Sequence, residues 1–335
     1  MDFEKPGVGA RLSQLSYLLK NTFTIIGRDK DILSPIIRMC VYAVLVVVLF
    51  FAGIAAIVIG LGGAGTLLLL AMVVVFIYKF FYYNHQELRL SRLVYDTACG
   101  RDASVQTARE ELADLKGSVR ILGLIDMAGA WVALRRGNGG LVTRLILGAL
   151  IEIWDLVNHF LLPVFAIDKL SFREGGERLY TLKNHVPETL AGVFGIDIMG
   201  GVVRTILGPL YLIAIILGIV LGLAAGSIMP TAFSAGPLGD LFSSIPDGLP
   251  FDEQTLFNWL PLFVLIFFTF VGNAIFGRLV TAIKVIYFTL FYTRIAHADS
   301  LAHDIREELD GYLNLSDGGS TSAEVSPSDP ATGQT

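Results

Sequence analysis

Thr205–Met229 reads TILGPLYLIAIILGIVLGLAAGSIM, and Gln254–Gly277 reads QTLFNWLPLFVLIFFTFVGNAIFG; neither stretch contains a charged residue. Each is long enough for a helix to cross a hydrocarbon core of ~30 Å, which takes about 20 residues. From Pro230 to Pro261 there is no Lys or Arg, only the acids Asp240, Asp247, Asp252 and Glu253. Basic residues collect in cytoplasmic loops, so a loop that lacks them belongs on the opposite face. The pattern predicts two membrane helices joined by an external loop over 229–255, with both termini in the cytoplasm.

The remaining basic residues agree with that orientation. Of 25 Lys and Arg, six lie in residues 1–38, thirteen between Asn84 and Gly195, and four from Arg278 onward. Lys79 and Arg204 complete the set at the ends of apolar runs. A chain that is 54% hydrophobic and 16% charged, with a mean hydropathy of +0.65, falls outside the soluble class. The polar start is too long for a cleavable signal, and the apolar run Met39–Gly60 is a spanning helix. Cys40 and Cys99 fall at or near the cytoplasmic side, where thiols stay reduced.

Four spans follow, over 35–60, 66–83, 205–228 and 256–277. Residues 1–34 form a cytoplasmic segment in which Leu12, Leu15, Leu18, Leu19, Phe23 and Ile26 recur at helical spacing. That spacing reads as an amphipathic helix on the membrane surface. The helical membrane domain extends over 35–315, and residues 316–335 have the composition of a disordered tail. The second span continues past the aromatic belt of Phe76–Tyr83 through Leu93. The last continues from Arg278 toward Leu313. Residues 104–117 read as a charged helix capped by Ser104, and residues 171–190 as an amphipathic segment. Between them lies a hairpin over 119–167. Its first arm, 119–134, is apolar apart from Asp126; its second, from 141, holds Glu152 and Asp155. The hairpin is amphipathic or re-entrant, and the chain has six spans if it crosses. Arg135, Arg136 and Arg144 near its turn oppose crossing.

Glu152, Asp155 and His159 stand at i, i+3 and i+7, with Asn158 beside them, and share one helix face. Ionisable groups in an apolar segment mark a path or a site when they lie at depth. The bland alternative is an interfacial cluster paired with Arg144 and Lys169. Asn273 and Thr269 are polar residues in the last span and are candidates for interhelical hydrogen bonds or a pore lining. Gly218, Gly222 and Gly226 recur every four residues, a spacing for close helix packing. Gly60, Gly62 and Gly65 spell G-x-G-x-x-G, but between two spans they form a membrane turn rather than a nucleotide loop. His297 and His303 fall in a charged helix and read as solvated. No residue set points to catalysis, a cofactor or a metal, and no basic tract points to nucleic acid.

The run Trp154 … Asn158-His-Phe-Leu-Leu-Pro-Val-Phe-Ala-Ile-Asp168, followed by Ser171-Phe-Arg-Glu-Gly-Gly-Glu-Arg-Leu179, resembles an uncharacterised prokaryotic family of multi-pass integral membrane proteins, a domain of unknown function. The polar start Ile25-Ile-Gly-Arg-Asp-Lys-Asp-Ile-Leu-Ser-Pro35 is similar too. Where that family usually reads Ala-Leu-x-x-Ser, this chain has Gly176-Glu-Arg-Leu179. The resemblance implies a prokaryotic inner (plasma) membrane and brings no activity with it.

The expectation is an all-α integral membrane protein without enzymatic activity: a scaffold, assembly factor or accessory subunit. Its partners are the lipid bilayer and other membrane proteins or further copies of itself. The alternative is a small channel or transporter built on Glu152, Asp155, Asn158, His159 and Asn273.

Overall fold

The computed structural model describes residues 24–135, 141–181, 208–226, 233–235 and 257–306; for part of the helix over 141–168 this covers the backbone alone. After a 3-10 turn, Lys30–Ile32, come α1 (Leu33–Val58), α2 (Gly62–Ala98), α3 (Val105–Glu111), α4 (Lys116–Arg135), α5 (Leu141–Asp168) and α6 (Phe172–Thr181). Then follow α7 (Gly208–Gly226) and α8 (Trp259–Ala296), and a 3-10 turn, Ala298–Ser300, closes the order. The one sheet among the described residues is a two-residue antiparallel pair, β1 (Ser234–Ala235) with β2 (Phe257–Asn258).

Four helices, α1, α2, α7 and α8, are long and apolar enough to cross a membrane. The most apolar windows of these helices are at most 17% buried within the protein. In water that exposure would be prohibitive at about 25 cal/mol per Å²; in hydrocarbon it carries no such cost. The chain is therefore an all-helical membrane protein.

Length explains the rest. α2 has 37 residues and α8 has 38. At 1.5 Å per residue each is about 55 Å long, well beyond a ~30 Å core. The surplus projects to one side, and the packed core is there. Leu88, Leu90, Leu93 and Val94 of α2 meet Ala282, Val285, Ile286 and Leu290 of α8. Leu161, Leu162, Phe165 and Ala166 of α5, Ala108 of α3, Val119 and Leu122 of α4, and Ile36 and Met39 of α1 belong to the same cluster. The molecule is a lipid-facing set of spans standing on a helical layer with a packed apolar core. The layer is also cross-braced: Thr289 donates to Ser91 Oγ at 2.8 Å between α8 and α2.

The spans touch through small residues and rings. A Cβ on Gly65 would stand 2.7 Å from Gly53 O, so α1 and α2 are in near-backbone contact beside their turn. That turn passes through Gly60 at φ +88°, a conformation glycine adopts without strain. Phe51 of α1 meets Phe263, Phe267 and Phe270 of α8 edge to face. The Asn258 side chain accepts from Leu260 N at 2.9 Å and caps α8.

Several boundaries differ from the sequence reading. α1 begins at Leu33 and α8 ends at Ala296, short of the expected continuation toward Leu313. The Arg101-Asp-Ala-Ser-Val105 region starts a seven-residue helix, and the expected helix over 104–117 is broken by a 3-10 turn at Ala113–Leu115. Ser104 holds the N-cap position of α3 with no side-chain cap bond. Asp31 supplies it instead, accepting from Val105 N at 3.2 Å, while Asp29 accepts from Ala103 N at 3.3 Å. The amphipathic segment up to residue 23, the turn 136–140, Asp197, Arg204, most of the external loop 229–255 and the tail 316–335 lie outside the described residues.

Candidate functional site

Polar groups gather where the spans enter the layer. Asn84 is one residue past the aromatic belt on α2, and Asp126 is the single acid of α4. The Asn84 amide donates to Asp126 Oδ2. Trp154 on α5 donates its indole N–H to Asp126 Oδ1 at 2.8 Å. Asn158, one turn further along α5, donates to Oδ1 at 3.3 Å and approaches Oδ2 at 3.5 Å. One carboxylate thus ties three helices together. A carboxylate has about four acceptor sites, and N–H donors from three residues engage both of its oxygens.

This cluster borders a pocket of about 240 Å³ between α2, α4, α5 and α8. Lys79 and Glu87 of α2, Asp126, His159, and Arg278 and Thr281 of α8 are among its walls. Two basic residues face two acids, so the lining is close to neutral in formal charge. Arg278 also stacks on the Tyr83 ring at 4.3 Å, and Lys79 lies 3.6 Å from the Phe76 ring centroid. Both cations sit against aromatic faces at the level where chain leaves lipid.

Deeper in the layer lie two further polar centres. Arg92 pairs with Glu111 at 2.7 Å and Asp96 at 3.0 Å, and reaches Ala166 O at 3.4 Å. Asp168, at the end of α5, accepts from the Tyr292 hydroxyl and sits 2.7 Å from His297 Nε2, with Arg178 at 3.7 Å. His297 is therefore paired, which corrects its reading as a solvated residue; the end of α8 folds onto the end of α5 and buries the ring edge. Lys169 pairs with Glu111 at 3.3 Å.

Of the sequence-predicted candidates, the described side chains of Asn158 and His159 come together and that of Asn273 stands apart. Asn158 and His159 line the same pocket. His159 is 5% exposed and packs beside Phe288, ring centroids 5.4 Å apart. Asn273 is an exposed residue of α8 outside that pocket. Thr269 turns back to Leu265 O of its own helix at 2.6 Å. α5 carries Glu152 and Asp155 on its backbone, and their side chains lie outside the described atoms. Gly218, Gly222 and Gly226 are buried on one face of α7. A Cβ at Gly218 would meet Leu262 Cα at 2.8 Å, and one at Gly222 would meet Asn258 O at 2.7 Å, so that face lies on the start of α8. Both cysteines are free thiols. Among the described residues no group of three or more His, Cys, Asp or Glu is placed to hold a metal.

Asp126 and Asn84 were the residues that spacing rules passed over. The available signal was a lone acid in an otherwise apolar helix, which requires a partner wherever it is buried.

No family model, no curated protein and no solved structure matches this chain. The family resemblance drawn on residues 145–190 gains no support from these comparisons, and function rests on the geometry alone.

Proposed function

We propose that this protein is a non-enzymatic scaffold, assembly factor or accessory subunit of a prokaryotic inner (plasma) membrane, with the helical layer on the cytoplasmic side. The observation that supports this most is the state of Asp126. Asp126 receives Asn84, Trp154 and Asn158 and fastens α2, α4 and α5, a structural use of the one acid of α4. The exposed faces of the spans offer a large apolar surface to lipid or to other membrane helices.

Two measurements test the reading together. A photo-crosslinking residue at Val41 or Leu67, both strongly exposed, is expected to give discrete protein adducts in native membranes. Proteoliposomes holding the purified chain are expected to pass ions no faster than empty vesicles. Adducts to lipid alone, together with an ion flux that falls in Asp126→Asn, would establish the channel or transporter reading instead.

A further inference from the structure

A second and larger cleft, of about 730 Å³, opens between α2 and α4. Its α2 wall is a single helical stripe: Tyr78, Phe81, Tyr82, His85, Gln86 and Arg89 stand at i, i+3, i+4, i+7, i+8 and i+11. Its α4 wall is a second stripe of Lys116, Val119, Arg120 and Leu124. Both stripes change character along their length, and they do so in the same direction. A Cβ at Gly123 would touch the Phe81 ring, which sets the Leu124 end of α4 beside the aromatic end of the α2 stripe. Lys116, two turns back, then lies toward His85 and Arg89. The cleft is therefore aromatic and apolar at the membrane end and cationic at the layer end, over roughly 16 Å of helix.

Among the described residues, the cations lining this cleft, Arg89, Lys116 and Arg120, and the two beside it, Arg38 and Arg109, have no carboxylate partner. Arg38 and Arg109 both act electrostatically on Arg89. On the same helix Arg92, which faces the interior, has two acids. Arg89 is 8% exposed, and its Nε–H has no hydrogen-bond partner. Its Nη2 lies 2.7 Å from His85 Nε2, which must accept because a guanidinium only donates. Gln86, 3% exposed, has an amide oxygen with no donor. A buried guanidinium donor left unmade is costly, and the exposed cations around Arg89 add like-charge repulsion that an anion would relieve.

We propose that this cleft holds the phosphate headgroup of an anionic phospholipid, with acyl chains leaving along Phe81 and Leu124 into the bilayer. The phosphate accepts from Arg89 and is flanked by Lys116 and Arg120. Basic pockets at the membrane boundary bind anionic headgroups by this chemistry. The inference does not depend on the scaffold reading.

A soluble phosphate shares the headgroup's chemistry, so the test separates the two sources. The full chain is delipidated in a neutral detergent, and its melting temperature is followed with added phosphatidylglycerol, phosphatidylcholine or inorganic phosphate. The expected result is a rise of several degrees with phosphatidylglycerol and little with the other two. The double variant Lys116→Gln/Arg120→Gln, whose side chains are exposed, is expected to fold normally and need at least ten times more phosphatidylglycerol for the same rise. Arg173→Gln, a cation on α6 far along the chain, should leave the response unchanged. An equal rise with phosphatidylcholine, or a response unaltered in the double variant, overturns the proposal. A rise with inorganic phosphate alone overturns the lipid assignment.

Discussion

Trp154 on α5 hands its indole N–H to Asp126 on α4 at 2.8 Å, and the same carboxylate holds Asn84 on α2. Helices from three parts of the sequence are registered against one another by two oxygen atoms. The register has consequences for packing and for which substitutions the layer tolerates.

Asp126→Ala removes the acceptor and leaves three N–H donors behind. Each unmade buried bond costs on the order of 1–3 kcal/mol, and the donors share part of the loss by rebonding to water. A net destabilisation of about 3 kcal/mol is expected, read as a fall in melting temperature in detergent. Asp126→Asn keeps one acceptor oxygen and is expected to cost about half as much. Equal melting of the alanine variant and the parent would show that the hub does not register the helices.

Two glycines beside the α1–α2 turn make a paired test. A methyl at Gly65 would lie 2.5 Å from Ile57 Cγ1 and 2.7 Å from Gly53 O, so Gly65→Ala must force the helices apart. Overpacking of this kind costs about 1–3 kcal/mol. Gly63 has nothing within 4 Å of its Cβ position. Gly63→Ala is expected to be neutral or to stabilise by up to about 1 kcal/mol through helix propensity. Thermal unfolding of the two variants side by side checks the contrast.

Arg92→Leu strips Glu111 and Asp96 of their shared cation in a crowded layer. Breaking a buried pair from one side costs about 3–5 kcal/mol. Here Lys169 and Arg101 remain within 3.3 Å and 3.5 Å of the two acids, so the expected loss is nearer the lower figure. The triple variant Arg92→Leu/Asp96→Leu/Glu111→Leu is expected to recover a large part of it in a chemical denaturation series.

Arg28 and Asp304, 276 positions apart, pair at 2.7 Å. The hydrogen bond from Arg28 holds the Asp304 carboxyl below its ordinary value of 3.8. A depressed carboxyl stabilises the folded form above the unfolded value and loses that contribution as pH falls through the folded value. The clasp is therefore complete above about pH 4 and opens below it. Amide exchange over 301–306 should accelerate between pH 5 and pH 2.5 beyond its intrinsic change. Asp304→Asn should show the open-form protection already at pH 7. Both side chains are well exposed, so high salt is expected to blunt the difference.

Much of the architecture was legible in the chain. The uncharged runs ending at Met229 and Gly277 required lipid, because no interior could bury so much apolar surface in a protein of this size. The overrun of α2 and α8 was legible as well, since the apolar pattern continued past the aromatic belt. The site was not. Asn158 stood in the expected cluster, yet its partner is Asp126, in another helix. His297 looked solvated because its own helix is charged, while the group that pairs with it, Asp168, arrives from α5. The cap of α3 was assigned to Ser104 by local rules; Asp31, 74 positions before Val105, holds its amide.

The sequence alone determined the solvent. Hydropathy and run length are local sums, so four membrane-crossing helices follow without knowing any neighbour. Tertiary structure decided which polar side chains meet, and so which cations at the α2–α4 cleft have no acid partner among the described residues. A hydrogen bond or ion pair depends on a few tenths of an ångström between residues far apart in the chain, and helix packing alone sets that distance.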